Sequence, residues 1–285
     1  MKFKSSMKAR DKTKRMYRQL NNSPAKPLEY LIRSLNQFGL AFSFAKSELQ
    51  GRNAQTFLGY FINLFQILIA SGLYWLIFGY ILKVNTGNIP FPLFVLTGLI
   101  PWVYFSSIIR EAGNSLIDNK HLLDKIYFPR VILPISKLIP GLVDFAIAFA
   151  VAIIFLFLFG MEIRWQILTV PAFLSIIIFS GFAIGLWIAS ISVRYRDTSR
   201  LIPYLINFGF FMTPVFYPST IVPDNINFIL YINPAAFAIE GFRWAMFETP
   251  FPDIYYLFSL IPVTILGFWG WRNFRRKEKY YADLI

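Results

Sequence analysis

Three long, predominantly apolar stretches, Thr56–Leu82, Leu133–Phe159 and Val170–Ile191, decide what this chain can become. Each exceeds the roughly 20 residues a helix needs to cross the hydrocarbon core of a bilayer. Three further segments, Phe91–Ser107, Pro203–Phe216 and Tyr255–Trp271, complete a set of six. The second and fifth in chain order are short and flanked by proline, so they are expected to be broken or tilted. Lipid offers a free backbone amide no partner, which makes all six helices and the fold class all-α. Composition agrees, since charged residues are 15% of the chain, against about 25% in a soluble domain.

The 28 Lys and Arg outnumber the 15 Asp and Glu, and their placement gives the excess its meaning. Only Lys83, Arg164 and Arg243 lie in the loops after the first, third and fifth segments. Every other cation lies before the first segment, around the loops after the second and fourth, or beyond the sixth. Cations collect on the cytoplasmic side of membrane proteins. Six transmembrane helices with both termini cytoplasmic follow, and the basic excess reads as topology and contact with anionic lipid, with no nucleic-acid partner.

Residues 1–26 are basic and lack an apolar core and a small-residue cleavage site, so they read as a cytoplasmic tail and not a signal peptide. Residues 27–52 carry Leu28, Leu31, Leu35, Phe38, Phe42, Ala45 and Leu49 at steps of three or four. That stripe predicts an amphipathic interfacial helix; a soluble helix packed on a partner is the alternative. Residues 53–285 form the transmembrane domain. Between its second and third segments, Asn114 or Ser115 can cap a short amphipathic helix that stops at Phe128-Pro129. Such a helix either docks in a partner's groove or is a solvated connector. The long loop from Tyr217 to Asp253 is too apolar to hang in water. Two short helices near Ile226–Tyr231 and Ala235–Phe247, dipping back into the outer leaflet, fit it better. Glu240 and Arg243 can pair there at i, i+3, the plain expectation being a surface pair worth under about 1 kcal/mol.

Much chemistry is excluded. There is no cysteine, and His121 is the single histidine, so thiol catalysis, disulfides and a multi-His metal site are out. No phosphate-cradling glycine loop or nucleophile elbow occurs. No catalytic residue and no metal site is assigned. Asp144 is the one acid inside a long apolar segment; a proton relay needs a chain of titratable groups, and Asp144 lies near enough to an end to reach Lys137 or a lipid headgroup. In the first segment Gln55, Gly59, Asn63, Gln66 and Ala70 form a polar or small stripe near Tyr60, and the fifth offers Tyr204, Asn207, Phe211 and Pro214. Aromatic faces with scattered amides suit sugar rings, although ordinary packing explains any single ring as well.

Several segments together resemble a known family. The run Leu122-Leu123-Asp124-Lys125-Ile126-Tyr127-Phe128-Pro129-Arg130-Val131-Ile132-Leu133-Pro134 resembles the intracellular loop of ABC-2 type polysaccharide-export permeases. Val193-Arg194-Tyr195-Arg196-Asp197, Thr213-Pro214-Val215-Phe216-Tyr217-Pro218, Asn233-Pro234 with Glu240-Gly241-Phe242-Arg243, and the tail Phe274-Arg275-Arg276-Lys277-Glu278-Lys279 are similar in the same order.

The resemblance implies a half-transporter: a homodimer in the bacterial cytoplasmic membrane, bound to two copies of a separate ATPase, exporting lipid-linked polysaccharide of the O-antigen type. Teichoic acid, capsule or a drug or small lipid are the alternative cargoes, and a proton-coupled secondary transporter is the alternative mechanism. ATP and Mg would be held by the partner, with no cofactor on this chain. The resemblance places a coupling helix at Ser115–Tyr127, with Ser115, Asp118, Leu122, Leu123, Lys125 and Tyr127 facing the ATPase. It places Tyr60, Asn63, Gln66, Tyr204, Asn207 and Phe211 along the pore, and Phe216, Tyr217, Asn233, Glu240 and Arg243 at a re-entrant outer gate.

Overall fold

The computed structural model describes residues 37–53, 61–123, 128–195 and 197–277. Among these residues every regular element is helical. The main helices are α1 (Phe38–Asn53), α2 (Phe61–Tyr74), α3 (Phe91–Asp118), α4 (Lys120–Leu123), α5 (Ile132–Ser136), α6 (Leu138–Leu158), α7 (Val170–Ser192), α8 (Asp197–Met212), α9 (Phe228–Ile232), α10 (Pro234–Met246) and α11 (Leu260–Lys277).

The bundle is built around α3, which touches α2, α5, α6, α7, α8 and α10. Its residues from Leu93 to Trp102 are buried without interruption, the mark of a helix apolar all round and enclosed by others. The sequence predicts here a short segment, broken or tilted, that ends at Ser107. The helix instead runs through Pro101 to Asp118, about 42 Å at 1.5 Å per residue. Small residues explain the continuation. Gly181 sits on Ile108, Gly185 on Ala112 and Gly113 on Ile188, so α3 and α7 pack closely down to the α3 terminus. Asn114 and Ser115 therefore lie inside a helix and cap nothing.

Among the described residues, five helical runs are long and apolar enough to cross a membrane: Ile62–Ile81, Phe91–Asp118, Ile132–Leu158, Trp165–Ser192 and Ile254–Arg276. The expected fifth segment forms α8, whose 16 residues fall short of that length. It nevertheless runs antiparallel to α3. Ile202 near its start lies beside Gly113, and Val215 just past its end lies against Gly98.

Two apolar cores result. The larger joins α2, α3, α6, α7 and α10. The smaller gathers Ala41 of α1, Leu116 of α3, Phe128 of the α4–α5 connection, Ile132 and Leu133 of α5, Leu186 and Ala189 of α7, and Phe274 of α11. It brings α1, the α3–α5 connection, the α7 terminus and the α11 terminus to one end of the bundle, which we call the basic end. The far end holds the α2–α3 and α6–α7 loops and the chain from Thr213 to Ser259. Two of the three far-end cations are neutralised there, Arg164 by Glu248 and Arg243 by Glu240.

The N-terminal 1–26 tail and the first part of the 27–52 helix lie outside the described residues. In α1 the expected single stripe divides. Ala41 is buried in the smaller core and Ala45 is buried as well, with Phe44 edge-on to Phe128 at 5.5 Å, whereas Phe38 and Phe42 stay more than half exposed. Alanine lets the helix approach α5 closely, and the larger rings take the outer side.

Candidate functional site

At the far end, Asn233 ends α9 and caps α10. Its side chain accepts from the Ala235 amide at 3.0 Å and donates to Thr213 Oγ1 at 2.7 Å, with Pro234 in the first turn where its missing N–H costs nothing. Nearly all of α10 is buried, packed on α3 and α7. The chain from α9 through α10 is thus two short helices, the second buried on the rest of the bundle.

Arg243 is the centre of this end and is 1% exposed. It donates to Glu240 at 2.9 Å and to the Val215 carbonyl at 2.8 Å, and its guanidinium carbon lies 3.7 Å from the centre of the Phe94 ring. Burial lowers its pKa from the usual arginine value, while the Glu240 carboxylate holds the charge on it. The expected surface pair is therefore a buried one. The reason is visible in the sequence of α10: Ala235 to Met246 is apolar but for these two residues, so the face carrying Arg243 goes into the core and the cation must take its partners with it.

Phe216 and Tyr217 follow directly. Phe216 is buried in a ring cluster, stacked on Tyr74 at 5.2 Å and 7° and 4.7 Å from Phe78. Phe210 and Phe211 pack on it from α8. The turns after Tyr74 widen into a π-helix over Trp75–Ile81. Tyr217 donates to the Phe211 carbonyl at 3.1 Å, and burial pushes its hydroxyl pKa up against the opposing pull of Arg243.

The residues expected along a pore fall on two separate surfaces. Tyr204, Asn207 and Phe211 share one exposed face of α8 with Phe208. Asn63 and Gln66 instead line a cleft of about 540 Å³ between α1, α2, α3 and α6, to which α8 contributes nothing. Tyr60 lies outside the described residues. Tyr104, Ser107 and Arg110 of α3 line the same cleft; nothing in their spacing marks that face, because α3 is buried on almost every side.

Asp144 sits in this cleft, with one carboxylate oxygen held by two partners. Asn63 Nδ2 donates to it at 2.7 Å and Arg52 of α1 at 3.4 Å. Lys137 does not reach it but pairs with Glu48 at 2.9 Å, and Glu48 also takes Arg52 at 3.1 Å. The acid found inside an apolar segment thus anchors the amphipathic helix to α6 and α2.

At the basic end the chain turns sharply at Asn119, whose side chain donates to the Ser115 carbonyl at 2.8 Å. Ser115 is fully buried and donates to the Ala112 carbonyl at 2.7 Å. Asp118 is exposed at the α3 terminus, and Leu122 is half-buried against the smaller core. Leu123 closes the four-residue α4. Lys125 and Tyr127 lie outside the described residues.

The ABC-2 type transporter family model matches residues 40–247. The O-antigen export system permease protein RfbA of Myxococcus xanthus is 27% identical over 259 residues, 90% of this chain and 99% of that protein. A protein of the same name from Klebsiella pneumoniae is 28% identical over 208 residues, 72% of this chain and 79% of its own. The polysialic acid transport protein KpsM of Escherichia coli is 27% identical over 175 residues, 60% of this chain and 66% of its own.

Proposed function

The chain belongs to the ABC-2 type transporter family, and from that premise we propose that it is the permease subunit of an exporter of lipid-linked polysaccharide, O-antigen in type. It is a multi-pass protein of the bacterial cytoplasmic membrane. The observation that carries the cargo is the end-to-end match to an O-antigen export permease.

In this reading α8 makes the sixth crossing, both termini are cytoplasmic, and the basic end faces the cytoplasm. Two copies pair through the exposed α8 face, whose Tyr204, Asn207 and Phe211 offer rings and an amide to a passing glycan. The α9–α10 pair and the ring cluster on Phe216 form the outer gate. A separate ATPase binds the segment after α3, and its ATP-driven closure pushes there. The push moves the protomers only to the extent that the ATPase grips the two states differently. Leu122 serves this well, since it already rests on the core that joins α1, α5, α7 and α11.

Deleting the gene tests the reading. Cells should lose surface polysaccharide and accumulate lipid-linked glycan inside, with both reversed by the intact gene. Unchanged surface glycan removes the proposal. Loss of capsule with intact lipopolysaccharide would assign capsular export, the second reading, which the KpsM match favours.

A further inference from the structure

A second cavity, of about 490 Å³, opens at the far end between the α2–α3 loop, the chain at Pro218–Thr220, α9, α10 and the Thr249–Tyr256 segment. Neither α8 nor the cleft holding Asp144 contributes to it. Its size lies within the roughly 300–1,000 Å³ of sites that bind small molecules.

Its walls combine rings with hydrogen-bonding groups. Tyr231 and Tyr256 meet at 5.1 Å and 81°, and Phe251, more than half exposed, stands edge-on to Trp244 at 4.9 Å. Glu240 lines the cavity at 17% exposure, with one carboxylate oxygen taken by Arg243 and the other left to accept. Asp253 and the amide of Asn85 add exposed polar groups. Arg243 is the only cation among the lining residues; Glu240 and the Val215 carbonyl take its two terminal nitrogens, and its Nε, which has no partner, is buried out of a ligand's reach.

That set selects a ligand class by elimination. An anion meets two carboxylates and no open cation, so phosphate and pyrophosphate are disfavoured. A hydrocarbon chain would strip water from the acids and amide and give nothing back. A neutral polyol with apolar ring faces satisfies both halves: its C–H faces lie on the aromatics and its hydroxyls donate to carboxylates and amide. The geometry points to a saccharide-binding site, large enough for one or two sugar residues, in each protomer beside the outer helices and away from the α8 face. That the sugar is part of the exported glycan rests on the function proposed above; the site itself does not.

The test uses the full chain in detergent and oligosaccharides released by mild acid from the surface polysaccharide of the producing cells, read by calorimetry or saturation-transfer NMR. Saturable binding is expected. Phe251→Ala should weaken it about tenfold, the worth of one stacked ring, and Asn85→Ala should weaken it less; both positions are exposed, and neither change disturbs the core. Inorganic pyrophosphate should not compete. Absence of saturable binding, equal affinity in both variants, or competition by pyrophosphate overturns the site. Binding in a chain that cannot restore surface glycan to deleted cells would leave the site standing and remove the export reading. Restored glycan without binding would do the reverse.

Discussion

Arg243 of α10 donates to the carbonyl of Val215 at 2.8 Å, and that same carbonyl lies where a Cβ on Gly98 would have to go. One contact thus ties the end of α8, the buried axis α3 and the outer helix α10. Replacing Arg243 with Met removes a cation from between Glu240 and Val215 and leaves a mostly buried carboxylate alone. The expected loss is about 3 kcal/mol or more, seen as a lowered midpoint on heating the detergent-solubilised chain. Adding Glu240→Gln should recover part of it, with a coupling of at least about 1 kcal/mol. Strict additivity would mean that the two side chains act independently.

Gly98→Ala should be costly for its size. The obstacle is a backbone carbonyl already fixed by Arg243, so the neighbour cannot give way as a flexible side chain would. A loss of about 1–3 kcal/mol is expected. Gly72→Ala, with open space around the new methyl, should instead be neutral or slightly stabilising, as helix propensity favours alanine by up to about 1 kcal/mol. Equal behaviour of the two variants in thermal unfolding would contradict the packing of Val215 on α3.

Asp144 separates structure from proton chemistry. Its partners are Asn63 and Arg52, and with Arg52 and Asp144 partly exposed at 37% and 19% the ion pair is worth no more than about 1 kcal/mol after screening. Asp144→Asn should therefore keep glycan export and its pH profile while loosening α1, seen as faster protease cleavage near Asn53. Loss of export with an altered pH profile would restore the proton-coupled alternative.

What was legible in the sequence follows from what periodicity and charge encode. Apolar runs fixed the long helices, and the Lys and Arg placement matched the gathering of α1 and the α3, α7 and α11 termini at one end. The length of α3 was hidden, because its continuation depends on glycines and alanines meeting α7, and Ser106 to Asn114 alone look polar enough to end a helix. The burial of Arg243 was closer to hand: a lone cation in an apolar helix has to be partnered, although its partners Val215 and Phe94 are remote in sequence. The two surfaces holding Asn63 and Tyr204 could not be told apart from stripes alone, since a polar stripe says that a face avoids lipid and not which neighbour it meets.

Leu122 gives the most direct reading of how work enters the bundle. It is half-buried on the core shared by α1, α5, α7 and α11, so a charge there weakens both the local packing and any docking surface. Leu122→Glu should cost a fraction of the roughly 2–5 kcal/mol of a fully buried leucine, leaving a chain that still inserts and purifies. Export and the stimulation of a co-purified ATPase should both fall away. Intact stimulation with normal export would move the coupling contact elsewhere.

The absence of cysteine makes the proposed pairing of two copies directly testable, since any thiol introduced is the only one in the chain. Leu201, Tyr204, Leu205, Phe208 and Phe211 are each between 56% and 71% exposed on α8. A disulfide forms only when Cα atoms come within about 7 Å. If α8 faces its counterpart, mild oxidation in membranes should give covalent dimers at a subset of these positions repeating every three or four residues. Ile154→Cys, equally exposed at 55% but on α6, should give none. A bulky thiol reagent on Tyr204→Cys should also block export if that face lines the path of the glycan. Dimers through Ile154 and none through α8 would place the second protomer on the opposite side of the bundle and remove α8 from the pore.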